Sequence, residues 1–176
     1  HMISDFGTRN IARIVAGANP DFVMIDMEHT GYDTERIADL CAWFRATDIA
    51  PFVRIPQGLY HFCARTLDAG ALGIICPMIN NRAEAEQLVS YMRYPPHGQR
   101  SFGPTRAVFA HGADYGQKAD GEVLCFAMIE TADGMRNLDE IVSTPGLDGV
   151  YIGPADLTLG LTGRKYPTGF DREEPE

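Results

Sequence analysis

The sequence predicts an α/β fold, and more specifically a (β/α)8 TIM barrel. Short apolar runs rich in Val, Ile, Phe and Met recur about every 25 residues, as expected for strands of a parallel sheet that is buried on both faces. Between them lie segments with helical spacing of apolar residues, the pattern of repeated βα units. Polar side chains follow several runs and no glycine-rich dinucleotide motif does, which favours a barrel over an open doubly wound sheet.

Seven strands are predicted from the apolar runs. Five are clear from their length and composition: residues 22–25, 51–55, 73–78, 123–129 and 150–152. A short first strand is expected within residues 2–6, and a weaker one within residues 100–103.

Four helices are predicted where apolar residues recur at steps of three and four. They span residues 34–47, 60–68, 83–92 and 133–143. Each one connects two predicted strands or follows one, so the chain alternates as a barrel requires.

The predicted barrel is not complete within the sequence. A full (β/α)8 barrel takes about 250 residues, whereas this chain has 176. We expect strands 1 to 7 within residues 3–163, followed by a polar loop segment over residues 164–176. An open barrel completed by another chain would expose strand edges, so we expect the C-terminal portion of the barrel to lie outside this sequence.

Composition limits the classes of function. The chain is 45% hydrophobic and 22% charged, as in folded globular proteins, and its formal net charge is −9. This charge disfavours nucleic acids and anionic membrane surfaces as partners. No apolar run is long enough to cross a bilayer and no signal peptide is recognisable, so we expect a cytoplasmic protein.

The four cysteines are widely spaced and form no CxxC pair. They are Cys41, Cys63, Cys76 and Cys125. This spacing matches neither a zinc site nor a compact disulfide framework, so we expect reduced and mostly buried thiols.

Two carboxylates stand at or just beyond the ends of successive predicted strands. Glu130 ends the strand in AMIETADG, and Asp156 lies three residues past Gly153 in VYIGPADLTLG. Carboxylates from successive strand ends can converge on one hard cation such as Mg²⁺ or Mn²⁺, leaving positions for water and substrate. Each carboxylate alone could instead cap the following helix, but the pair favours a metal site.

A second polar group follows the strand in DFVMIDMEHT, where Asp26, Glu28 and His29 stand close together. Arg54 ends the next strand, where it could bind a substrate carboxylate through two parallel hydrogen bonds or pair with Asp26 or Glu28. Histidine is the residue type best suited to moving protons near neutral pH, so His29 is a candidate acid or base. Asp68 could orient the imidazole, although a helix-end role is the simpler interpretation.

Two loops complete the candidate residues. The first is a turn whose backbone N–H groups could hold a carboxylate, which is a weak signal by itself. It consists of Gly153, Pro154, Ala155 and Asp156. The second loop, over residues 94–101, is rich in proline and carries His97 and Arg100. These two residues could reach a substrate or a neighbouring subunit, but we favour the interpretation that they are surface residues.

Six motifs, in order along the chain, resemble those of one family. They are DFVMIDMEH, PFVRIP, LDAGALGIICPM, RYPPHGQRSFGPTRA, AMIETADGMRNLDEI and GVYIGPADLTLGLTG. Through these motifs, residues 3–163 resemble the metal-dependent pyruvate aldolases of the 4-hydroxy-2-oxoheptanedioate aldolase family. That family is related more distantly to citrate lyase beta subunits.

The resemblance implies a (β/α)8 barrel, often assembled as a hexamer from three dimers. It also implies a reversible, metal-dependent aldol cleavage that yields pyruvate and an aldehyde. By motif position, Glu130 and Asp156 would bind the metal, which is Mg²⁺ or Mn²⁺ with Co²⁺ as a further candidate. Arg54 would bind the pyruvyl oxygens and stabilise the enolate.

The resemblance also implies roles for the remaining candidates. His29 would be the base, acting through a metal-bound water with Asp68 as its partner, and Asp26 would lie near Arg54 and the aldehyde. The turn from Gly153 to Asp156 would hold the pyruvate carboxylate. Some family members carry Gln where this chain has Met128, a departure that affects the expected contacts to the aldehyde or to water.

Two other functions fit the same residues. A decarboxylase of oxaloacetate-like 2-oxo acids would use the same metal and the same enolate. A non-catalytic barrel fragment that acts as an interaction module is the other alternative. The joint presence of Glu130, Asp156, Arg54 and His29 argues against it.

Overall fold

A computed structural model describes residues 2–165 of the chain. In it, parallel strands alternate with helices. The strands are β1 (Met2–Ile3), β2 (Phe22–Asp26), β3 (Ala50–Arg54), β4 (Gly73–Cys76), β5 (Leu124–Ile129) and β6 (Gly149–Ile152). The helices are α1 (Ile11–Ala16), α2 (Thr34–Phe44), α3 (Tyr60–Asp68), α4 (Arg82–Met92), α5 (Thr105–His111), α6 (Tyr115–Glu122), α7 (Ala132–Arg136), α8 (Leu138–Val142) and α9 (Pro154–Thr162).

The strands form one sheet in chain order, from β1 to β6, and every neighbouring pair is parallel. A doubly wound sheet reverses its strand order partway across, whereas a barrel wall continues in one direction. The predicted α/β fold with a parallel sheet is therefore confirmed, and its strand order is that of a barrel.

The strand predicted within residues 100–103 was wrong. This segment lies in the loop between α4 and α5, where the N–H of Arg100 donates to the carbonyl of Arg93 and not to a neighbouring strand. The side chain of Arg100 is also drawn into the interior. The described residues therefore contain six strands and not seven.

The helices differ from prediction in two ways. The helix predicted over residues 133–143 is two short helices, α7 and α8, because Asn137 between them leaves the helical conformation. Four helices were not predicted from the sequence: α1, α5, α6 and α9. Each buries too few residues to show a helical spacing of apolar positions. Helix α6, for example, buries only Tyr115 and Ala119, and α9 buries no residue. The loop segment predicted over residues 164–176 lies outside the described residues from residue 166 onward.

Alternation along the strands creates two apolar layers. Side chains such as Val23, Ile25 and Val53 point toward the helices and are fully buried. The opposite face carries a separate layer on the inner side of the curved sheet. Its buried members are Met24, Phe52, Ile75 and Met128.

The same alternation determines where the polar strand ends point. Asp26 follows Met24 by two residues, and Arg54 and Glu130 likewise follow Phe52 and Met128. Because side chains two apart in a strand share a face, these polar groups lie on the inner side, at the carboxyl end of the sheet. That is where (β/α)8 barrels carry their active sites.

As predicted, the four cysteines are free and buried. Burial raises the pKa of the Cys41, Cys63 and Cys125 thiols to about 12, and that of Cys76 well above its ordinary value. The thiolate form is thus suppressed at neutral pH.

None of the helices within residues 2–165 combines the length and apolar character that a membrane span requires.

Candidate active site

A buried ion pair between β2 and β3 lies at the centre of the site. Asp26 and Arg54 end their strands as register neighbours. Arg54 Nε donates to Asp26 Oδ1 at 2.9 Å, and Nη2 donates to Oδ2 at 2.7 Å. Asp26 is 2% exposed and Arg54 9%. This two-point contact holds the plane of the guanidinium in one orientation.

The pair is ionised because its contacts outweigh burial. Burial by itself would raise the pKa of Asp26, but the hydrogen bonds and charge of Arg54, together with N–H groups of Glu28 and His29, hold that pKa below its ordinary value. Burial likewise opposes the charge of Arg54, but Asp26, followed by Glu28 and Glu130, raises the pKa of that guanidinium.

Glu28 lies between His29 and the Asp26–Arg54 ion pair. Its Oε2 lies 3.4 Å from Arg54 Nε and 3.5 Å from His29 Nε2, yet it is buried and accepts no hydrogen bond within the described residues. Burial raises the pKa of Glu28, and the charges of Asp26 and Asp156 add to this effect, although Arg54 and His29 oppose it. Beyond a possible ion pair with Arg54, no site role was predicted for Glu28, although its spacing of two residues from Asp26 was a usable signal.

Glu130 follows β5 and is 2% exposed. Its Oε1 accepts the N–H of Met78 at 2.8 Å. Its Oε2 lies against Gly153, because a Cβ placed on that glycine would stand 2.5 Å from Oε2. Thr131, and not Glu130, caps α7 by accepting the N–H of Gly134, so the capping alternative for Glu130 does not hold.

Like charges surround the Glu130 carboxyl group. Burial raises the pKa of Glu130 and the charges of Glu28 and Asp156 raise it further, while the Met78 N–H and Arg54 oppose the shift. Three carboxyl groups therefore interact electrostatically at this end of the sheet. Such an arrangement is costly unless positive charge balances it.

Asp156 is exposed in the first turn of α9, which begins after Gly153. Gly153 is the N-cap residue and no side chain caps this helix. The N–H of Gly153 donates to the carbonyl of Ile129, and Pro154 has no N–H. Of the four residues predicted to cradle a carboxylate, only Ala155 and Asp156 therefore offer N–H groups in the first turn.

Asp68 pairs with Arg100 within this chain, so its partnership with His29 stays a prediction. Helix α3 returns the chain from the carboxyl end of β3 to the amino end of β4, and Asp68 is its last residue. Its Oδ1 accepts from Arg100 Nη2 at 2.7 Å.

Arg100 was predicted to be a surface residue, and this prediction was wrong. Its side chain is fully buried and its guanidinium lies 4.6 Å from the centre of the Tyr94 ring. His97, in the same loop, is exposed as predicted.

The donors at the carboxyl end suit a hard divalent cation. Glu28 Oε2 is an unpartnered buried oxygen, and Glu130 Oε2 faces the turn that carries Asp156. Burial, followed by like-charge repulsion, raises the pKa values of Glu28 and Glu130, and a dication would stabilise their charged forms. Within residues 2–165, no three His, Cys, Asp or Glu side chains are grouped to hold a metal. A site with two carboxylates would keep positions for water and substrate.

The chain is similar to known proteins in sequence and in fold. The HpcH/HpaI aldolase/citrate lyase family matches residues 6–172. A hydroxypyruvate/pyruvate aldolase from Rhizorhabdus wittichii is 43% identical over 150 residues, which cover 85% of this chain and 60% of that protein. The chain therefore spans less than two thirds of that relative.

Solved structures show the same fold. A HpcH/HpaI aldolase/citrate lyase family protein from Burkholderia cenocepacia J2315 matches with a TM-score of 0.84 and 32% identity, over 92% of this chain and 65% of that chain. CitE from Mycobacterium tuberculosis, in complex with magnesium and pyruvate, matches with a TM-score of 0.55 and 19% identity, over 97% of this chain and 59% of that chain. The chain belongs to the HpcH/HpaI aldolase/citrate lyase family.

Proposed function

We propose that the protein is a divalent-metal-dependent aldolase that cleaves a 4-hydroxy-2-oxo acid to pyruvate and an aldehyde. The observation that carries this proposal is the buried Arg54 at the carboxyl end of the sheet, among carboxyl groups that outnumber it. Similarity to the hydroxypyruvate/pyruvate aldolase of Rhizorhabdus wittichii supports the reaction class. We also expect a homo-oligomer, a hexamer by family resemblance, and a cytoplasmic location.

Glu130 and Asp156 are the proposed metal ligands. Oε2 is the available oxygen of Glu130, because Met78 occupies Oε1. Mg²⁺ and Mn²⁺ are the preferred ions, with Co²⁺ as a further candidate, since all three accept carboxylate oxygens. A bound dication acts as a Lewis acid that stabilises negative charge on a substrate oxygen. CitE, which shares the fold, was solved with magnesium and pyruvate.

Arg54 provides fixed positive charge for the 2-oxo group. Asp26 holds Nε and Nη2, whereas Nη1 has no hydrogen-bond partner within residues 2–165. Nη1 can therefore donate to the oxygen on which negative charge develops as the C3–C4 bond breaks. A preorganised donor of this kind stabilises the transition state without reorganisation.

His29 is the proposed proton carrier. Its side chain is 61% exposed, so a substrate can reach it. As base, it would take the proton of the 4-hydroxyl group while the C3–C4 electron pair passes to the pyruvate enolate and the aldehyde carbonyl forms. Within one chain, Glu28 and not Asp68 is the carboxylate that can orient the imidazole. The N–H groups of Ala155 and Asp156 would bind the substrate carboxylate.

The test is an aldol assay of the intact protein with pyruvate, or hydroxypyruvate, and a panel of aldehydes in the presence of Mg²⁺, Mn²⁺ or Co²⁺. We expect product formation that a chelator abolishes. Glu130→Ala should lower kcat/KM by about three orders of magnitude, because a metal ligand is worth several kcal/mol in the transition state. Glu122→Ala, an exposed carboxylate at the end of α6, is the matched control and should retain activity.

Two results would contradict the proposal. Glu130→Ala with activity equal to that of the Glu122→Ala control would remove the metal site from the mechanism. Release of carbon dioxide from oxaloacetate, without aldol activity on any aldehyde, would favour the decarboxylase alternative.

A further inference from the structure

The loop between β4 and α4 reaches Glu130 through a backbone amide in an unusual conformation. Met78 has a φ of 58°, in the left-handed region, which costs a residue with a Cβ about 1–2 kcal/mol. This conformation accompanies the hydrogen bond from its N–H to Glu130 Oε1. Met78 is 51% exposed, so side-chain packing does not account for the conformation. A strained residue of this kind persists only where its surroundings hold it.

Asn80 supplies the contacts that hold it. Its Nδ2 donates to the carbonyl oxygen of Met78 at 2.7 Å. Its Oδ1 accepts the hydroxyl proton of Thr131, the residue directly after Glu130. The amide orientation follows from the partners: the Met78 carbonyl can only accept, and Thr131 Oγ1 already accepts the N–H of Gly134, so its own proton is available.

The backbone of Asn80 is anchored as well. Its N–H donates to Glu84 Oε2 at 2.7 Å, and its carbonyl accepts from Asn137 Nδ2 at 2.8 Å. Each polar group of this residue therefore has a partner, and the partners belong to elements on both sides of Glu130. A residue with this many fixed contacts can hold its neighbours in place.

We propose that Asn80 is a positioning residue for Glu130, an inference that rests on the proposed function because Glu130 is taken there as a metal ligand. The Asn80 side chain connects Met78, whose N–H holds Oε1, with Thr131, which continues the backbone of Glu130. Oε1 is thereby kept occupied, and Oε2 is directed toward Gly153 and the turn that carries Asp156. Glu130 would then bind the cation through one oxygen.

The contacts of this side chain require an amide, which supplies both a donor and an acceptor. Asp would place an acceptor against the Met78 carbonyl, where a donor is needed. Ala would leave both the Met78 carbonyl and the Thr131 hydroxyl without this partner, and a lost partner in a part-buried network has a cost. The contact with the Met78 carbonyl would therefore fail in both variants, and the contact with the Thr131 hydroxyl would fail in Asn80→Ala.

Asn81 offers a matched control one residue away. It is the N-cap residue of α4, where its Oδ1 accepts the N–H of Glu84 and its Nδ2 donates to Glu84 Oε1. Its side chain makes no hydrogen bond to Met78 or Thr131 within the described residues. Asn81→Ala should cost about 1 kcal/mol of stability, so it reproduces the loss of local stability without releasing Glu130.

The first measurement is calorimetric titration of the intact protein with Mn²⁺. We expect Asn80→Ala and Asn80→Asp to raise the Kd for Mn²⁺ about tenfold or more, as is usual when the groups that orient a ligand are removed. Asn81→Ala should change it by less than about twofold. An unchanged Kd in the folded Asn80 variants, or an equal change in Asn81→Ala, would overturn the inference.

The second measurement needs no metal. Hydrogen exchange at the Met78 amide should be at least about tenfold faster in Asn80→Ala than in Asn81→Ala, because the first variant frees this N–H from Glu130. Equal exchange in the two variants would overturn the inference. If the wild-type protein binds no Mn²⁺, the proposed function fails, and the exchange rates still decide whether Asn80 holds Met78 on Glu130.

Discussion

Two buried arginines, at opposite ends of the sheet, have different electrostatic surroundings. Arg54 is 9% exposed at the carboxyl end, and Arg93 is 6% exposed at the amino end. Arg93 donates to the carbonyls of Val123 and Gly146 at 2.7 and 3.2 Å, and to Asp148 Oδ2 at 3.1 Å. Asp148 therefore balances the charge of Arg93, and the other hydrogen bonds of this guanidinium go to neutral backbone carbonyls.

Arg54 belongs to a group whose charges do not balance. Asp26 holds the guanidinium, but Glu28 and Glu130 add further negative charge, and the pKa values of these two glutamates are raised. A buried ion pair is by itself a weak indication of function, because structural pairs look the same. The surplus of carboxylates around Arg54 is what distinguishes the carboxyl end as a site.

Replacing each arginine by lysine gives the largest expected difference between the two ends. Arg54→Lys should lower kcat about 10²–10³-fold, because a lysine cannot keep the two-point contact to Asp26 and also donate to substrate. Arg93→Lys should lower the free energy of unfolding by about 2 kcal/mol and leave the kcat of the folded protein unchanged. Steady-state kinetics and denaturant unfolding of both variants measure this. Similar losses of kcat would break the distinction.

The pH dependence of stability should show that the Asp26–Arg54 pair is ionised. Because the pKa of Asp26 is lowered from 3.8 on folding, its contribution is fully present above the unfolded value and is lost as the pH falls through the folded value. Asp26→Asn should therefore cost about 3 kcal/mol at pH 7 and less below about pH 4. Denaturant unfolding at pH 3, 5 and 7 measures the cost. A cost that is constant across this range would contradict the assignment.

A smaller effect, on metal affinity, is expected when the space between Gly153 and Glu130 is filled. In Gly153→Ala the new Cβ would lie 2.5 Å from Glu130 Oε2 and 2.6 Å from Met128 Cε, so the carboxylate must shift. We expect the Kd for Mn²⁺ to rise about tenfold, which corresponds to about 1.4 kcal/mol.

Gly160→Ala is the control for this substitution, because within residues 2–165 its added Cβ would have no atom within 4 Å apart from its chain neighbours and the backbone of its own helix. It should leave metal affinity unchanged and stabilise α9 by about 0.5–1 kcal/mol. Titration of both variants with Mn²⁺ measures the difference, and equal affinities would show that the Gly153 turn is not close to the ligand in solution.

Several parts of the site were predictable because they depend on local pattern. Asp26, Arg54 and Glu130 each follow a clear apolar run, and alternation along a strand places them on one face. Met78 and Asn80 were not predictable. A left-handed conformation at a methionine has no sequence signal of the kind that glycine provides, and the contacts of Asn80 to Thr131 and Asn137 cross 51 and 57 residues of chain.

Residue patterning alone establishes the parallel α/β sheet and the polar ends of β2, β3 and β5, because a period of two or 3.6 residues is a property of neighbouring positions. The positions of Asp68 and Arg100 depend on tertiary structure. These residues are 32 positions apart in the chain and form an ion pair because α3 carries Asp68 to the amino end of the sheet, where the loop after α4 brings Arg100 into the interior. Such pairing depends on the direction and packing of whole elements, which no local pattern specifies.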